Sequence, residues 1–132
     1  MIKTEYRKNV WKMFKVVICG CRDFQNYKFL KEKCLYLLQN KMPDVIIISG
    51  AAPGTDALGE QFADEFGLDV DLHPADWDRY GKSAGPRRNE EMVKLCDGVI
   101  AFWDYQSRGT KTTIDFCKKY NKRCIVVDIR GK

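Results

Sequence analysis

The sequence predicts an α/β domain, an open parallel sheet of about five strands flanked by helices on both faces. Five short apolar runs recur along its 132 residues. Four of them are β-rich and unbroken rather than alternating, which is the pattern of parallel strands buried on both faces. Between the runs, apolar residues repeat at helical spacing. Strand–helix alternation of this kind builds an open sheet with right-handed crossovers.

In chain order the runs are residues 15–19, 45–49, 70–73, 99–103 and 124–127. The third, Val70-Asp71-Leu72-His73, alternates and belongs nearer an edge. Leu30, Cys34, Leu37 and Leu38 stripe the first helix, and Leu58, Phe62 and Phe66 the second. Met92, Leu95 and Cys96 mark a third, and Ile114, Cys117 and Tyr120 a fourth. Gly67 closes the second helix, and Pro86 sits where a first-turn proline opens the third. Residues 74–85 form a long connection, of the kind that in a compact domain carries function or moves. Residues 1–12 read as a basic N-terminal extension, with Met13 an alternative start, and residues 13–132 as a single domain.

Composition excludes several classes. Hydrophobic residues make up 45% and charged residues 31%, an ordinary globular balance. No apolar run approaches the ~20 residues of a membrane span, and the first eight residues lack a signal-peptide core. The expectation is a cytoplasmic protein with no membrane partner. The net charge of +5 invites a nucleic-acid reading. Its distribution weakens that reading. Residues 1–12 and 118–132 together hold ten of the 23 basic and two of the 18 acidic side chains, so the 105 residues between carry 13 basic and 16 acidic groups. Six cysteines without a CxxC pair read as reduced thiols. Cys21 lies in a glycine turn, and the other five fall in apolar patterns. The single histidine, His73, reads as a satisfied strand-end residue, and no metal cluster is expected.

Open α/β sheets bind ligands beyond the carboxyl ends of their strands. The unusual residues gather there: Gly20-Cys21-Arg22-Asp23 after run one, Gly50-Ala51-Ala52-Pro53-Gly54-Thr55-Asp56 after run two, and Ser107-Arg108-Gly109-Thr110-Lys111-Thr112 after run four. The long connection ends in Gly85-Pro86-Arg87-Arg88-Asn89. Small residues opening a helix turn backbone N–H groups toward an anion, and arginine forks suit phosphate. Arg22, Lys82 and Arg88 are candidate phosphate ligands, with Ser107, Thr110 and Thr112 as hydroxyl donors. Asp56 and Glu60 share a helix face and could accept from ribose hydroxyls or hold Mg²⁺. Trp77 and Tyr80 are candidate stacking partners for a base. Gly81-Lys82-Ser83 is no P-loop, because Asp76 stands where its first glycine is needed.

This series of motifs, from Cys19-Gly20-Cys21-Arg22-Asp23-Phe24 through Ser107-Arg108-Gly109-Thr110, resembles the YspA-like, YpsA-related branch of the SLOG superfamily. The resemblance spans about residues 13–128. It implies a Rossmann-like fold that binds a nucleotide or an ADP-ribose-like ligand, in small proteins that are bacterial or phage-encoded. Dimers are common in the superfamily.

Two relatives within the superfamily imply alternatives. Lonely-Guy enzymes hydrolyse the N-glycosidic bond of nucleoside monophosphates. Of their first signature this chain keeps Arg88 and Met92 but has Asn89 for Lys; of the second it keeps Gly109-Thr110 but has Thr113 for the catalytic Glu. If the chain is an enzyme, Glu60 and Arg88 are the candidate catalytic residues. The DprA branch implies single-stranded DNA binding. The reading placed first is a sensor, carrier or sequestering protein for a nucleotide. Gly20, Gly50, Ala51, Gly54 and Gly109 supply backbone; Arg22, Asp23, Asp56, Glu60, Lys82, Arg88, Asn89, Ser107, Thr110 and Thr112 supply polar contacts.

Overall fold

The computed structural model describes residues 12–132. All but Lys12 of the expected basic extension therefore lies outside the described residues. The elements run β1 (Phe14–Gly20), α1 (Tyr27–Leu38), β2 (Val45–Ser49), α2 (Thr55–Phe66), β3 (Asp69–Leu72), α3 (Trp77–Tyr80), a 3₁₀ turn (Gly81–Ser83), α4 (Ala84–Leu95), β4 (Gly98–Trp103), α5 (Arg108–Lys119) and β5 (Arg123–Asp128). The five strands pair in parallel in the order β3-β2-β1-β4-β5. The chain reverses its direction of travel across the sheet between β1 and β4, and the crevice where such sheets take ligands opens there.

Alternation along the central strands splits the core into two layers. Val16 and Ile18 of β1 face Leu30, Cys34 and Leu38 of α1 and Phe62 and Ala63 of α2. Val17 and Cys19 face the other way, onto Met92 and Val93 of α4 and Ile114 and Cys117 of α5. Helices thus cover both faces, which is why β1, β2 and β4 read as unbroken apolar runs. β3 is an edge strand, as its alternation predicts, but its apolar positions Val70 and Leu72 are exposed rather than buried.

The helix ends follow local chemistry. Asn26 caps α1 by accepting from the Phe29 amide at 3.1 Å. Gly67 ends α2 in the left-handed conformation at φ +65°, where a residue with a Cβ is strained.

Four expectations need correction. Residues 74–85 are not one open connection, because Asp76 accepts from the Arg79 amide at 3.2 Å and starts the short α3. Gly85 to Asn89 belong to α4, not to a loop. Cys21, expected as the unburied cysteine of a turn, is packed into the core beside Phe24, and all six cysteines are free thiols. Leu95 also departs from its expected stripe and faces solvent.

Phe62 is fully buried and packs against Phe66, with ring centres 4.9 Å apart and the planes tilted by 44°. Phe62→Ala is expected to lower stability by about 3–5 kcal/mol, through lost transfer energy and an unfilled cavity. Urea denaturation followed by far-UV circular dichroism measures it; a loss under 1 kcal/mol contradicts the packing.

Candidate functional site

Close backbone approach builds the site first. A Cβ at Gly20 would collide with the Phe102 carbonyl oxygen, so glycine lets the chain leave β1 against β4. The Cys21 amide then donates to that same carbonyl at 3.2 Å. Gly54, at φ +77°, passes under the Arg22 carbonyl where a side chain would not fit. Thr55 fastens the two loops together: its amide and its hydroxyl both donate to the Cys21 carbonyl, at 3.1 and 2.9 Å.

The loop after β2 is ordered by buried acceptors. The Ser49 hydroxyl accepts from the Ala51 amide at 3.1 Å and donates to Glu60 Oε2 at 2.6 Å. Asp56 Oδ2 accepts from the Ala52 amide at 3.2 Å. Ala51 itself sits at φ +59°, an uncommon conformation for a residue with a Cβ, and one of a kind that collects at binding sites. After β4, Asp104 Oδ1 accepts from the Gln106 and Ser107 amides, each at 2.8 Å. Ser107 caps α5, accepting from the Thr110 amide at 3.4 Å and the Thr110 hydroxyl at 3.1 Å.

Arg88 joins these parts. It reaches from α4 to the end of β2, where Nη1 donates to the Gly50 carbonyl and, at 3.3 Å, to the His73 carbonyl. Its Nε donates to Asn89 Oδ1 at 2.9 Å. A Cβ at residue 50 would lie 2.5 Å from Nη1 and 2.9 Å from Asp56 Oδ2, so glycine is what admits both groups.

Between the carboxyl ends of β1 and β4 lies a cavity of about 280 Å³. It gathers most of the expected residues: Gly20, Arg22, Asp56, Trp77, Arg88, Asn89, Ser107, Gly109, Thr110 and Thr112. A neighbouring hollow of about 260 Å³ shares Arg22, Trp77 and Arg88 and adds Gly50 and Ala51. Trp77 is half exposed and lies 3.3 Å from where a Cβ on Gly85 would stand, forming a wall against α4.

Other expected residues are placed elsewhere. Tyr80 lines a separate hollow of about 250 Å³ and is flanked by the guanidinium groups of Arg79 and Arg87, at 5.0 and 4.4 Å from its ring centre. Glu60 is engaged by Ser49, Gly54 serves the loop junction, and Asp23 and Lys82 are exposed. None of these four lines the cavity. The Asp56–Glu60 pair gains no third acidic, histidine or cysteine neighbour that would make a metal cluster among the described residues.

Sequence reading missed Cys19, Ala52, Gly85 and Met92 as cavity lining. Gly85 carried a legible signal, a small residue in the first turn of a helix beside the arginines. Thr113 also lines the cavity, but its hydroxyl donates to the Gly109 carbonyl at 3.3 Å. Asp115 faces outward and pairs with Lys111 at 3.0 Å. Neither offers a carboxylate at the position of the Lonely-Guy Glu.

Asp56 is the acidic group of the cavity. Burial pushes its carboxyl up to about 6, against the opposing pull of the Ala52 amide and of the Arg88 charge. Glu60 on its own helix raises it further, and Arg22 lowers it. Burial also lowers the pKa of Arg88, which Asp56 partly offsets. His73 is held between two carboxylates, Nδ1 2.9 Å from Glu91 and Nε2 2.9 Å from Asp71. Burial acts to lower its pKa, but the two acids prevail and raise it.

A raised carboxyl pKa means that stability is full below the unfolded value near 4 and is lost as pH rises through about 6. Asp56→Asn is therefore expected to gain on the wild type between pH 4 and pH 7, by about 3 kcal/mol in full. Urea titrations of both proteins at the two pH values test this. A constant difference between them contradicts a buried, reluctantly ionised Asp56.

Comparison with known proteins places this geometry. The model of the YspA, cpYpsA-related SLOG family matches residues 14–80. Gene 61 protein of Mycobacterium phage D29 is 30% identical over 105 residues, covering 75% of this chain and 84% of the phage protein. DNA processing protein A (DprA) from Streptococcus pneumoniae shares the fold with a TM-score of 0.70 at 21% identity. DprA from Helicobacter pylori, whose structure is described for its single-stranded DNA binding mode, does so with a TM-score of 0.64 at 20% identity. Both superpositions cover 89% of this chain, which spans 51% of the first DprA chain and 66% of the second. No helix among the described residues is long and apolar enough to cross a membrane. On its sequence match and its fold, the chain belongs to the YspA, cpYpsA-related SLOG family.

Proposed function

We propose that the protein binds a nucleotide or a nucleotide-derived ligand in the cavity between β1 and β4, as a sensor, carrier or sequestering protein. The observation that carries this reading is the meeting of Arg22 and Arg88 with the first turn of α5 in one cavity at the switch point of the sheet. Gly109 lies in that first turn, where an amide with no intrahelical acceptor and the helix dipole favour a phosphate, while the Thr110 amide beside it is capped by Ser107. Arg22 supplies charge-assisted donors, and Arg88, whose Nη1 and Nε are engaged by Gly50, His73 and Asn89, adds positive charge. Trp77, half exposed beside them, offers a face for a base. Binding without turnover is favoured over Lonely-Guy hydrolysis, because Thr113 stands in place of that chemistry's carboxylate.

A second reading, single-stranded DNA binding, draws on the likeness to DprA, whose Helicobacter pylori form is described as binding such DNA. The acidic balance of residues 13–117 argues against a long phosphate track.

Isothermal titration with AMP, ADP and ADP-ribose, and with a 20-nucleotide oligo-dT at 50 and 200 mM salt, separates the two. At least one of the three small ligands is expected to bind intact and raise the melting temperature. Arg22 is exposed, so Arg22→Ala leaves the fold in place and is expected to weaken that binding roughly tenfold. No response to any of the three, with salt-sensitive binding of oligo-dT, contradicts the proposal in favour of the second reading.

A further inference from the structure

We infer that Asp56 makes this a ribonucleotide site: its carboxylate takes a ribose hydroxyl and sets ribo- against deoxyribo-ligands. The inference rests on the nucleotide reading above and deepens it.

Asp56 is the one carboxylate among the described residues that line the cavity, and only 7% of its surface is exposed. One oxygen is used, because Oδ2 accepts from the Ala52 amide. No hydrogen bond from the described residues reaches the other, Oδ1. A largely buried carboxylate with a spare acceptor gains from a donor that arrives in the cavity. The cavity donors that make hydrogen bonds are turned elsewhere. The Thr110 hydroxyl is turned to Ser107, the Thr112 hydroxyl to the Arg108 carbonyl, and Arg88 to the Gly50 and His73 carbonyls. The second acid on the same helix face, Glu60, is occupied by Ser49.

Oδ1 is therefore open to the cavity, where a ligand can bring the donor. A phosphate is excluded from Asp56 by charge, which assigns it to Arg22 and the α5 end of the cavity. What remains of a nucleotide is the sugar and the base. Sugar hydroxyls are neutral donors next to the phosphate ester in the covalent chain, so an anion held at α5 presents them a few ångströms away. A hydroxyl donating to an ionised carboxylate forms the stronger class of hydrogen bond. Its loss leaves the buried acceptor bare, and a site built around such a bond rejects the analogue that lacks the hydroxyl. DNA lacks one of the two candidate hydroxyls at every residue and, within a strand, esterifies the other.

The test titrates the intact protein calorimetrically with ADP, 2′-deoxy-ADP, 3′-deoxy-ADP and IDP. At least one deoxy analogue is expected to bind roughly tenfold to a hundredfold more weakly than ADP. In Asp56→Ala, checked for folding by circular dichroism, that ratio should fall toward one while some ADP affinity remains. The wild-type ratio alone is decisive if the variant does not fold. Equal binding of ADP and both deoxy analogues overturns the inference and leaves nucleotide binding standing. If IDP is then the weak ligand, Asp56 reads a base amine instead. Failure of all four to bind overturns the inference, and failure of AMP and ADP-ribose as well overturns the reading beneath it.

Discussion

Arg88 crosses from one helix to the end of a strand on the far side of the cavity because residue 50 has no side chain. That contact organises the rest of the site. The guanidinium donates to two backbone carbonyls, of Gly50 and His73, which belong to the exits of β2 and β3. It thereby ties α4 to both loops and places a half-buried cation beside the Asp56 carboxylate. Neither charge would be tolerable alone at that depth, since an unpaired buried ion costs several kcal/mol. Together they leave the cavity with one cationic rim and one acidic wall, the polarity on which the proposed phosphate and ribose contacts rest.

The second constraint is the crowding of β1, β2 and β4 exits. Thr55 holds the Cys21 carbonyl with two hydrogen bonds, and Gly20 and Gly54 allow the backbones to come that close. The loop amides are thus fixed before any ligand arrives, which lowers the ordering cost of binding. At the β3 exit, His73 is hydrogen-bonded through Nδ1 to Glu91 and lies beside Asp71.

The sheet was legible because burial on both faces imposes a pattern that a single sequence displays. The runs at 45–49 and 99–103 coincide with β2 and β4 to within one residue, and the alternating third run is one edge strand; the other edge, β5, is only partly buried although its run is unbroken. Most of the cavity was legible too, because glycines and arginines at strand ends have few other reasons to cluster. What was hidden depends on contacts between distant residues. Nothing local distinguishes Glu60, bonded to Ser49, from Asp56, which faces the cavity one helical turn away. Nothing local sends Tyr80 to Arg79 and Arg87 and Trp77 to Gly85. The short α3 was recoverable, since Asp76 is a standard cap residue before a helical turn. Membership of the YspA, cpYpsA-related SLOG family agrees with the motif series, which runs through the loops that build the cavity.

The central claim is that phosphate sits at the first turn of α5 between the exits of β1 and β4. Amide chemical shifts in a ¹⁵N-labelled sample titrated with AMP test it most directly. The account predicts that the largest shifts fall on Gly20, Arg22, Gly109 and Thr110, with the Arg88 side-chain Nε–H moving in step. Largest shifts at Arg79, Tyr80 and Arg87, or at the far end of the sheet around Tyr36 and Gly98, would contradict it.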